Sequence, residues 1–134
     1  MKKPLDILLI EDDIDDVDLL KEALNDNNVQ YRMEVIMEGD KVHHYLRTNE
    51  NLPEIIIMDL NLPKTDGKEI LQEMKSLSSL TNIPVVVLTT SSSHEDIEYC
   101  YKMGISKFIT KPSTIEGWNL AIGSIMGVAS LVSN

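Results

Sequence analysis

Two continuous apolar runs stand out in the pattern of hydrophobic and polar positions along this chain. Ile55–Met58 and residues 83–88 contain almost only apolar side chains, and each run ends directly in polar residues. Apolar runs of this length are typical of strands that are buried on both faces of a parallel sheet. Shorter or alternating segments at Leu5–Ile10, 31–37 and 106–110 predict three further strands.

The segments between these strands carry apolar residues at the spacing of amphipathic helices. They predict helices over 14–25, from Gly39-Asp40 through 46, from a cap at Asp66 through 74, from a cap at Ser93 to a stop at Gly104, and over 114–132. Residues 49–53 and 76–82 are expected to be loops. Because strands and helices alternate, we expect an α/β fold, a doubly wound five-stranded parallel sheet with five helices on its two faces.

Polar side chains follow the predicted strands at the points where the strands end. Since the carboxyl ends of parallel strands share one edge of the sheet, these side chains are expected to gather there. The set comprises Glu11, Asp12, Asp13, Asp59, Asn61, Thr89, Thr90 and Lys111. Asp59 follows the apolar run 55–58, and a carboxylate in that position is a nucleophile, a metal ligand or a structural cap.

This combination of residue types suits a divalent metal ion and a phosphoryl group. Carboxylates on one rim repel each other unless a cation lies between them, and oxygen ligands without His or Cys suit Mg²⁺. A metal ion and a lysine offset the charge on phosphoryl oxygens. A carboxylate is already ionised at neutral pH, so it can act as the nucleophile without a base.

Composition narrows the function further. The chain has 134 residues, which suits one domain, and a net charge of −10. That charge argues against a nucleic-acid surface or an anionic membrane surface. One cysteine allows no internal disulfide, which fits a reducing compartment. The first ten residues predict a cytoplasmic strand rather than a signal peptide, and no segment has the pattern of a membrane span.

Four segments together resemble the receiver domain of a two-component response regulator. They are ILLIEDD, IIIMDLNLPKTDG, IPVVVLTTS and FITKP, in that order and at receiver spacing. The chain is most similar to the stand-alone regulators that accompany bacterial phytochrome kinases. The resemblance implies a flavodoxin-like receiver topology, with one receiver domain over residues 1–134 and no output domain.

The resemblance also implies a role for each polar residue near Asp59. Asp59 would be the phosphoacceptor. Asp12 would bind Mg²⁺ directly, and Glu11 would act through a metal-bound water. Asn61 would lend its backbone carbonyl to the metal, and Asp59 would complete the metal ligands.

Residues on the fourth and fifth strands would complete the site. Thr89, rather than Thr90, would turn its hydroxyl towards the phosphoryl group, and Lys111 would pair with that group. The Lys111–Pro112 bond is cis in such domains. Phe108 would be the aromatic switch residue, together with Thr89. Asn61 and Ser91 match positions that tune the lifetime of the aspartyl phosphate.

The implied function is phosphorelay signalling. A histidine kinase would phosphorylate Asp59, and the helix 4–strand 5–helix 5 face would then change its contacts with a downstream protein. The chain would not be an enzyme beyond its own phosphorylation and slow dephosphorylation. A phosphohydrolase of the haloacid-dehalogenase type needs an acid where Asn61 stands. A degenerate receiver that binds partners without phosphorylation is the remaining alternative.

Several other residues have plain interpretations. Asp13 is expected to be a solvated residue that starts the helix, and Asp15, Asp16 and Asp18 are expected to be charges that favour the helix dipole. His43 and His44 are expected to be exposed, and Cys100 to be a small buried residue.

The last helix is unusual because no charged residue follows Glu116. Leu120, Val128 and Leu131 are expected to lie partly outside its core stripe. This face is either a solvated surface of Gly and Ser or an interface, in a homodimer or with a kinase or target.

Overall fold

A computed structural model describes residues 3–48, 51–77, 80 and 82–132, with only the backbone of 131 and 132. Within these residues the chain forms five strands and five helices in alternation. The strands are β1 (Leu5–Ile10), β2 (Tyr31–Ile36), β3 (Ile55–Met58), β4 (Val85–Thr89) and β5 (Lys107–Thr110). The helices are α1 (Ile14–Asp26), α2 (Val42–Thr48), α3 (Gly67–Ser76), α4 (His94–Lys102) and α5 (Ile115–Val132).

All strands are parallel and form one sheet in the order β2-β1-β3-β4-β5. Every residue of β3 and β4 is buried, because helices cover both faces of these central strands. At the edge strand β2 the pattern alternates and only Ile36 is fully buried. The predicted doubly wound sheet is therefore confirmed.

Two apolar layers hold the helices against the sheet. On one face α1 and α5 pack through Val17, Leu20, Leu24, Trp118, Ile122 and Ile125. On the other face α2, α3 and α4 pack through Val42, Leu46, Ile70, Leu71, Met74 and Cys100. Each fully buried aliphatic side chain stabilises the fold by about 1.5–3 kcal/mol. No helix in the described ranges is long and apolar enough to cross a membrane.

Side-chain caps fix where three of the helices begin. The carboxylates of Asp13 and Asp66 accept hydrogen bonds from the first turns of α1 and α3, and the Ser93 hydroxyl does so for α4. The caps at Asp66 and Ser93 were predicted. Asp13 was predicted to be a solvated residue that starts the helix; it is exposed, and its carboxylate also accepts from the backbone N–H groups of Asp15 and Asp16.

The predicted element ends differ from the observed ends by one or two residues. The fourth strand begins at Val85 rather than at residue 83, and a 3-10 turn at Gly39–Lys41 precedes α2. Residues 49, 50, 78, 79 and 81 of the predicted loops lie outside the described residues. Leu80 is buried and anchors the second of these loops to the core.

The last helix differs from its prediction at one residue. Leu120 is exposed, as expected, but Val128 is buried against the α1 side of the sheet. The expectation for Val128 was therefore wrong, because the core stripe of α5 is wider than its apolar spacing indicated. The side chain of Leu131 lies outside the described residues.

Gly67 allows α3 to start directly against the turn that follows β3. A Cβ atom at Gly67 would lie 2.5 Å from the Cα and carbonyl oxygen of Leu60, which are backbone atoms. We expect Gly67→Ala to lower the free energy of unfolding by about 1–3 kcal/mol. Urea denaturation measures this change.

Gly123 on α5 provides the matched control, because a Cβ atom there would meet no other atom within 4 Å. Gly123→Ala should raise the free energy of unfolding by about 0.5–1 kcal/mol, through the helix propensity of Ala. Equal stability of Gly67→Ala and the native chain would contradict the close approach at Leu60.

Candidate functional site

The sheet register brings four polar residues together at its carboxyl edge. Ile10 pairs with Met58, so Glu11 and Asp59 leave adjacent strands side by side. The Asp59 N–H donates to the carbonyl of Ile10 at 3.0 Å, and the Lys111 N–H donates to the carbonyl of Thr89 at 2.7 Å. Backbone hydrogen bonds of the sheet thus place these residues at one edge.

The ammonium group of Lys111 lies at the centre of this edge. Its Nζ is 2.8 Å from Glu11 Oε1, 2.8 Å from Asp59 Oδ2 and 2.7 Å from Asp16 Oδ2. An ammonium has three N–H donors, so these carboxylates use all of them. Glu11, Asp59 and Lys111 therefore lie together at the sheet edge, as the sequence predicts.

Asp16 is the member of this group that the sequence reasoning missed. It lies in the first turn of α1 and was taken for a charge that favours the helix dipole. Its spacing from Leu20 and Ala23, four and seven residues later, places it beside the buried stripe of α1. That periodicity is the signal that could have identified it.

The Asp59 carboxylate is buried and held by several donors. The Asn61 N–H donates to its Oδ1 at 3.0 Å, and Lys111 donates to its Oδ2. Burial acts to raise the pKa of Asp59, but the hydrogen bonds from Lys111, Thr89 and Asn61 outweigh it and hold the pKa below its usual value. Asp59 is therefore an anion at neutral pH, which a nucleophile requires.

Glu11 behaves in the opposite way. Burial raises the pKa of Glu11 to about 7, against the lowering effect of the hydrogen bond from Lys111, and the charge of Asp59 adds to the rise. The two buried carboxylates thus differ in how readily they ionise. Burial also opposes the charge of Lys111, but hydrogen bonds to Asp16, Asp59 and Glu11 hold its pKa above the usual value.

Glu11, Asp12 and Asp59 also form a group that fits a divalent cation. One carboxylate oxygen from each lies within 4.8 Å of the others. Glu11 and Asp59 are buried, whereas Asp12 is open to solvent on the rim. Hard oxygen ligands with one solvent-facing side suit Mg²⁺, which retains several waters. The residues present therefore fit the magnesium ion that the sequence predicts.

Asn61 and the two threonines lie on the β4 side of Asp59. The Asn61 side-chain amide donates to Thr89 Oγ1 at 3.3 Å and to Thr90 Oγ1 at 3.1 Å. Thr89 is fully buried and contributes to the lowered pKa of Asp59, whereas Thr90 is exposed. These contacts favour Thr89 over Thr90 as the hydroxyl that faces Asp59.

The predicted switch residue Phe108 lies on β5 with its side chain half-buried against the core. Its backbone N–H donates to the Tyr101 hydroxyl at 3.1 Å. The Ser91 hydroxyl donates to Asp96 Oδ2 at 2.5 Å. Lys68 Nζ contacts the other oxygen of Asp96 at 2.6 Å, so the loop after β4 is tied to α3 and α4.

The Lys111–Pro112 peptide bond is trans, since the described residues contain no cis bond. The expectation of a cis bond was therefore wrong. The direction of the lysine side chain is fixed instead by its three carboxylate partners.

Cys100 is buried as expected, and burial raises the pKa of its thiol to about 11. His43 lies near the surface, with Nδ1 3.5 Å from Glu73 Oε2. Neither residue lies among the carboxylates of the site.

The raised pKa of Glu11 predicts a pH dependence of stability in the protein kept free of metal by a chelator. The folded state holds the Glu11 proton up to about pH 7, whereas the ordinary pKa of the group is 4.5. The stabilisation is complete below pH 4.5 and is lost as the pH rises through 7. Relative to Glu11→Gln, the native free energy of unfolding should fall across this range by at most about 3 kcal/mol.

Asp59 acts with the opposite sign but in another pH range. Its pKa is lowered from 3.8, so its contribution is present above pH 3.8 and is lost only as the pH falls further. Chemical denaturation at a series of pH values separates the two effects. Parallel stability curves for the native chain and Glu11→Gln between pH 4.5 and 7 would contradict the assignment.

Comparison with known proteins agrees with this geometry. Residues 7–122 match the family model of the response regulator receiver domain. The response regulator Rcp1 of Synechocystis is 35% identical over 118 residues, which cover 84% of this chain and 80% of Rcp1. A probable methanogenesis regulatory protein, FilR2 of Methanothrix harundinacea, is 37% identical over 84% of this chain and 76% of its own.

Solved structures show the same relationship. The phosphorylated cyanobacterial phytochrome response regulator RcpA superposes with a TM-score of 0.87 at 34% identity, over 98% of both chains. The Mn²⁺-bound form of Rcp1 superposes with a TM-score of 0.83 at 30% identity, over 98% of this chain and 96% of Rcp1. The Mn²⁺ in Rcp1 agrees with a divalent-metal site among the carboxylates described above.

These matches confirm the predicted resemblance, including its similarity to phytochrome-associated regulators. Receiver domains are signalling proteins that work with histidine kinases, and they are not enzymes beyond their own phosphorylation and dephosphorylation. The hydrolase alternative is therefore not supported. The chain belongs to the family of response regulator receiver domains.

Proposed function

We propose that this protein is a phosphorylation-dependent signalling receiver whose phosphoacceptor is Asp59. One observation carries the proposal: a buried, ionised carboxylate at a strand end lies 2.8 Å from a lysine ammonium. A structural cap would not need a buried cationic partner. The phosphoryl donor would be the phosphohistidine of a histidine kinase.

In the proposed transfer, an Asp59 carboxylate oxygen attacks the phosphorus atom. The new oxygen–phosphorus bond forms as the nitrogen–phosphorus bond of the phosphohistidine breaks, the electron pair stays on the imidazole nitrogen, and that nitrogen takes a proton from solvent. Lys111, within reach of Asp59, would pair with the transferred phosphoryl oxygens. The buried Thr89 hydroxyl would donate to another of these oxygens.

Glu11, Asp12 and Asp59 would hold Mg²⁺, with Asn61 contributing its backbone carbonyl. Their carboxylate oxygens already lie within 4.8 Å of one another. When bound, the ion offsets the negative charge that the carboxylates and the phosphoryl group bring to this edge. Asp12, on the solvent side, is the proposed direct ligand, and Glu11 is proposed to act through a metal-bound water.

The proposed output depends on the segment after β4. The Thr89 hydroxyl would move towards the phosphoryl group. Phe108 would then change its packing because the Thr89 hydroxyl has moved. Asn61, which donates to both threonine hydroxyls, would follow this movement. The α4–β5–α5 face would thereby change its contacts with a downstream protein.

We propose a phytochrome-type histidine kinase as the partner, because RcpA is a phytochrome response regulator and shares the fold across nearly its whole length. The assignment of residues 1–134 to a single receiver domain and a location in the cytoplasm stay predictions. An interface on α5, in a homodimer or with another protein, also stays a prediction; among the side chains described on this helix, Ile115 and Leu120 are apolar and exposed.

Incubation with a small phosphodonor and Mg²⁺ tests the proposal. The native chain should gain one phosphoryl group by intact-mass measurement, and Asp59→Asn should gain none, because the amide is not a nucleophile. Chelation of Mg²⁺ should abolish the gain in the native chain.

Asp40→Asn serves as the control, since Asp40 is an exposed carboxylate in the 3-10 turn before α2. It should be phosphorylated like the native chain. An unmodified native chain under every donor would contradict the proposal and favour a degenerate receiver. Equal uptake by Asp59→Asn would place the phosphoacceptor elsewhere.

A further inference from the structure

Asp16 contacts the lysine of the site without belonging to the residues so far given a role. Its Oδ2 is 2.7 Å from Lys111 Nζ, and the side chains of Asp16 and Lys111 are 22% and 9% exposed. Exposed surface pairs are loosely held, but a pair this shielded has one defined geometry. The contact joins α1 to the residue after β5, which is 95 positions away in sequence.

The backbone that carries Asp16 is firmly fixed. The Asp13 carboxylate caps the helix and accepts from the Asp16 N–H at 3.4 Å. Val17 and Leu20, on the same helix, are buried in the core layer between α1 and α5. Asp16 therefore presents its carboxylate from a rigid support rather than from a loop.

The three partners of Lys111 have different fates during the proposed reaction. Asp59 would become an acyl phosphate, so it would no longer offer Lys111 a free carboxylate. Glu11 belongs to the carboxylate group that fits a metal ion, so its oxygens would be shared between Lys111 and the metal site. Asp16 lies outside that group and would remain a partner of Lys111 at every stage.

We propose that Asp16 is a positioning residue for phosphoryl transfer, which holds the Lys111 ammonium at the sheet edge by accepting a hydrogen bond from it. The proposal rests on the proposed function of Asp59. An ammonium with only Glu11 and Asp59 as partners would lose its fixed direction as those groups engage other partners. The retained contact with Asp16 keeps Lys111 aimed at the phosphoryl oxygens.

Two variants of Asp16 separate the hydrogen bond from the charge. Asn keeps an acceptor oxygen at the same position, whereas Ala removes it, and both remove the same first-turn charge from α1. With saturating Mg²⁺ and a small phosphodonor, we expect Asp16→Ala to be phosphorylated about tenfold more slowly than the native chain. Asp16→Asn should stay within about threefold of the native rate.

Asp15→Ala is the matched control. Asp15 also lies in the first turn of α1, but it is exposed and has no contact with Lys111 among the described pairs. The Asp15→Ala substitution removes a similar charge from the first turn of α1 and should leave the phosphorylation rate unchanged. Thermal unfolding of all variants distinguishes a loss of fold from a loss of positioning.

The Lys111 side chain itself provides a readout that does not depend on phosphorylation. In carbon–proton NMR spectra assigned with Lys111→Arg, an ammonium held by three carboxylates should give two distinct Hε resonances. These resonances should remain distinct in Asp16→Asn and merge in Asp16→Ala. A merely structural role for Asp16 would leave them distinct in every folded variant.

The outcomes separate this inference from the proposed function. A native chain that takes up no phosphoryl group would refute the role of Asp59, while the Hε resonances would still decide whether Asp16 positions Lys111. The inference is overturned if folded Asp16→Ala reacts at the native rate or faster. It is also overturned if Asp16→Asn is as slow as Asp16→Ala, or if distinct Hε resonances persist in Asp16→Ala.

Discussion

The site depends on one buried ammonium group shared by three carboxylates from distant parts of the chain. Glu11 follows β1, Asp59 follows β3 and Asp16 lies on α1, and all three contact Lys111 after β5. Without that cation, carboxylates at this spacing would repel each other and raise their own pKa values. The lysine keeps Asp59 ionised, while burial leaves Glu11 much easier to protonate. One interaction thus joins residues that follow three strands of the sheet and keeps Asp59 in the ionised form that the proposed phosphoacceptor requires.

The fold makes this arrangement possible through its parallel sheet. Two strands buried on both faces, β3 and β4, fix the positions of Asp59 and Thr89 with little freedom. Apolar packing stabilises the strands, so the fold can accommodate charges that repel each other at the polar edge. The same edge faces solvent at Asp12, where a metal ion and a phosphoryl donor could approach. The faces of the sheet thus carry the apolar core, and its edge carries the polar site.

Much of this could be predicted from the sequence, because the features involved are local. The apolar runs of β3 and β4 identify a buried parallel sheet, and a parallel sheet places the residues after each strand on one edge. Asp16 was missed because the start of α1 carries several acidic residues, and only its helical spacing from the buried Leu20 and Ala23 distinguishes it from the others. The burial of Val128 depends on tertiary contacts. A resemblance to a family supplied roles for matching positions but none for a residue outside its motifs.

The central claim is that this lysine-bound carboxylate, and no other on the edge, receives the phosphoryl group. Borohydride reduction of the phosphorylated chain converts an acyl phosphate to the corresponding alcohol, and peptide mass spectrometry then locates it. The account predicts a single modified position, Asp59. Modification at Glu11, Asp12 or Asp16 would contradict it, because the nucleophile would then be a residue that we place in metal binding or in positioning Lys111.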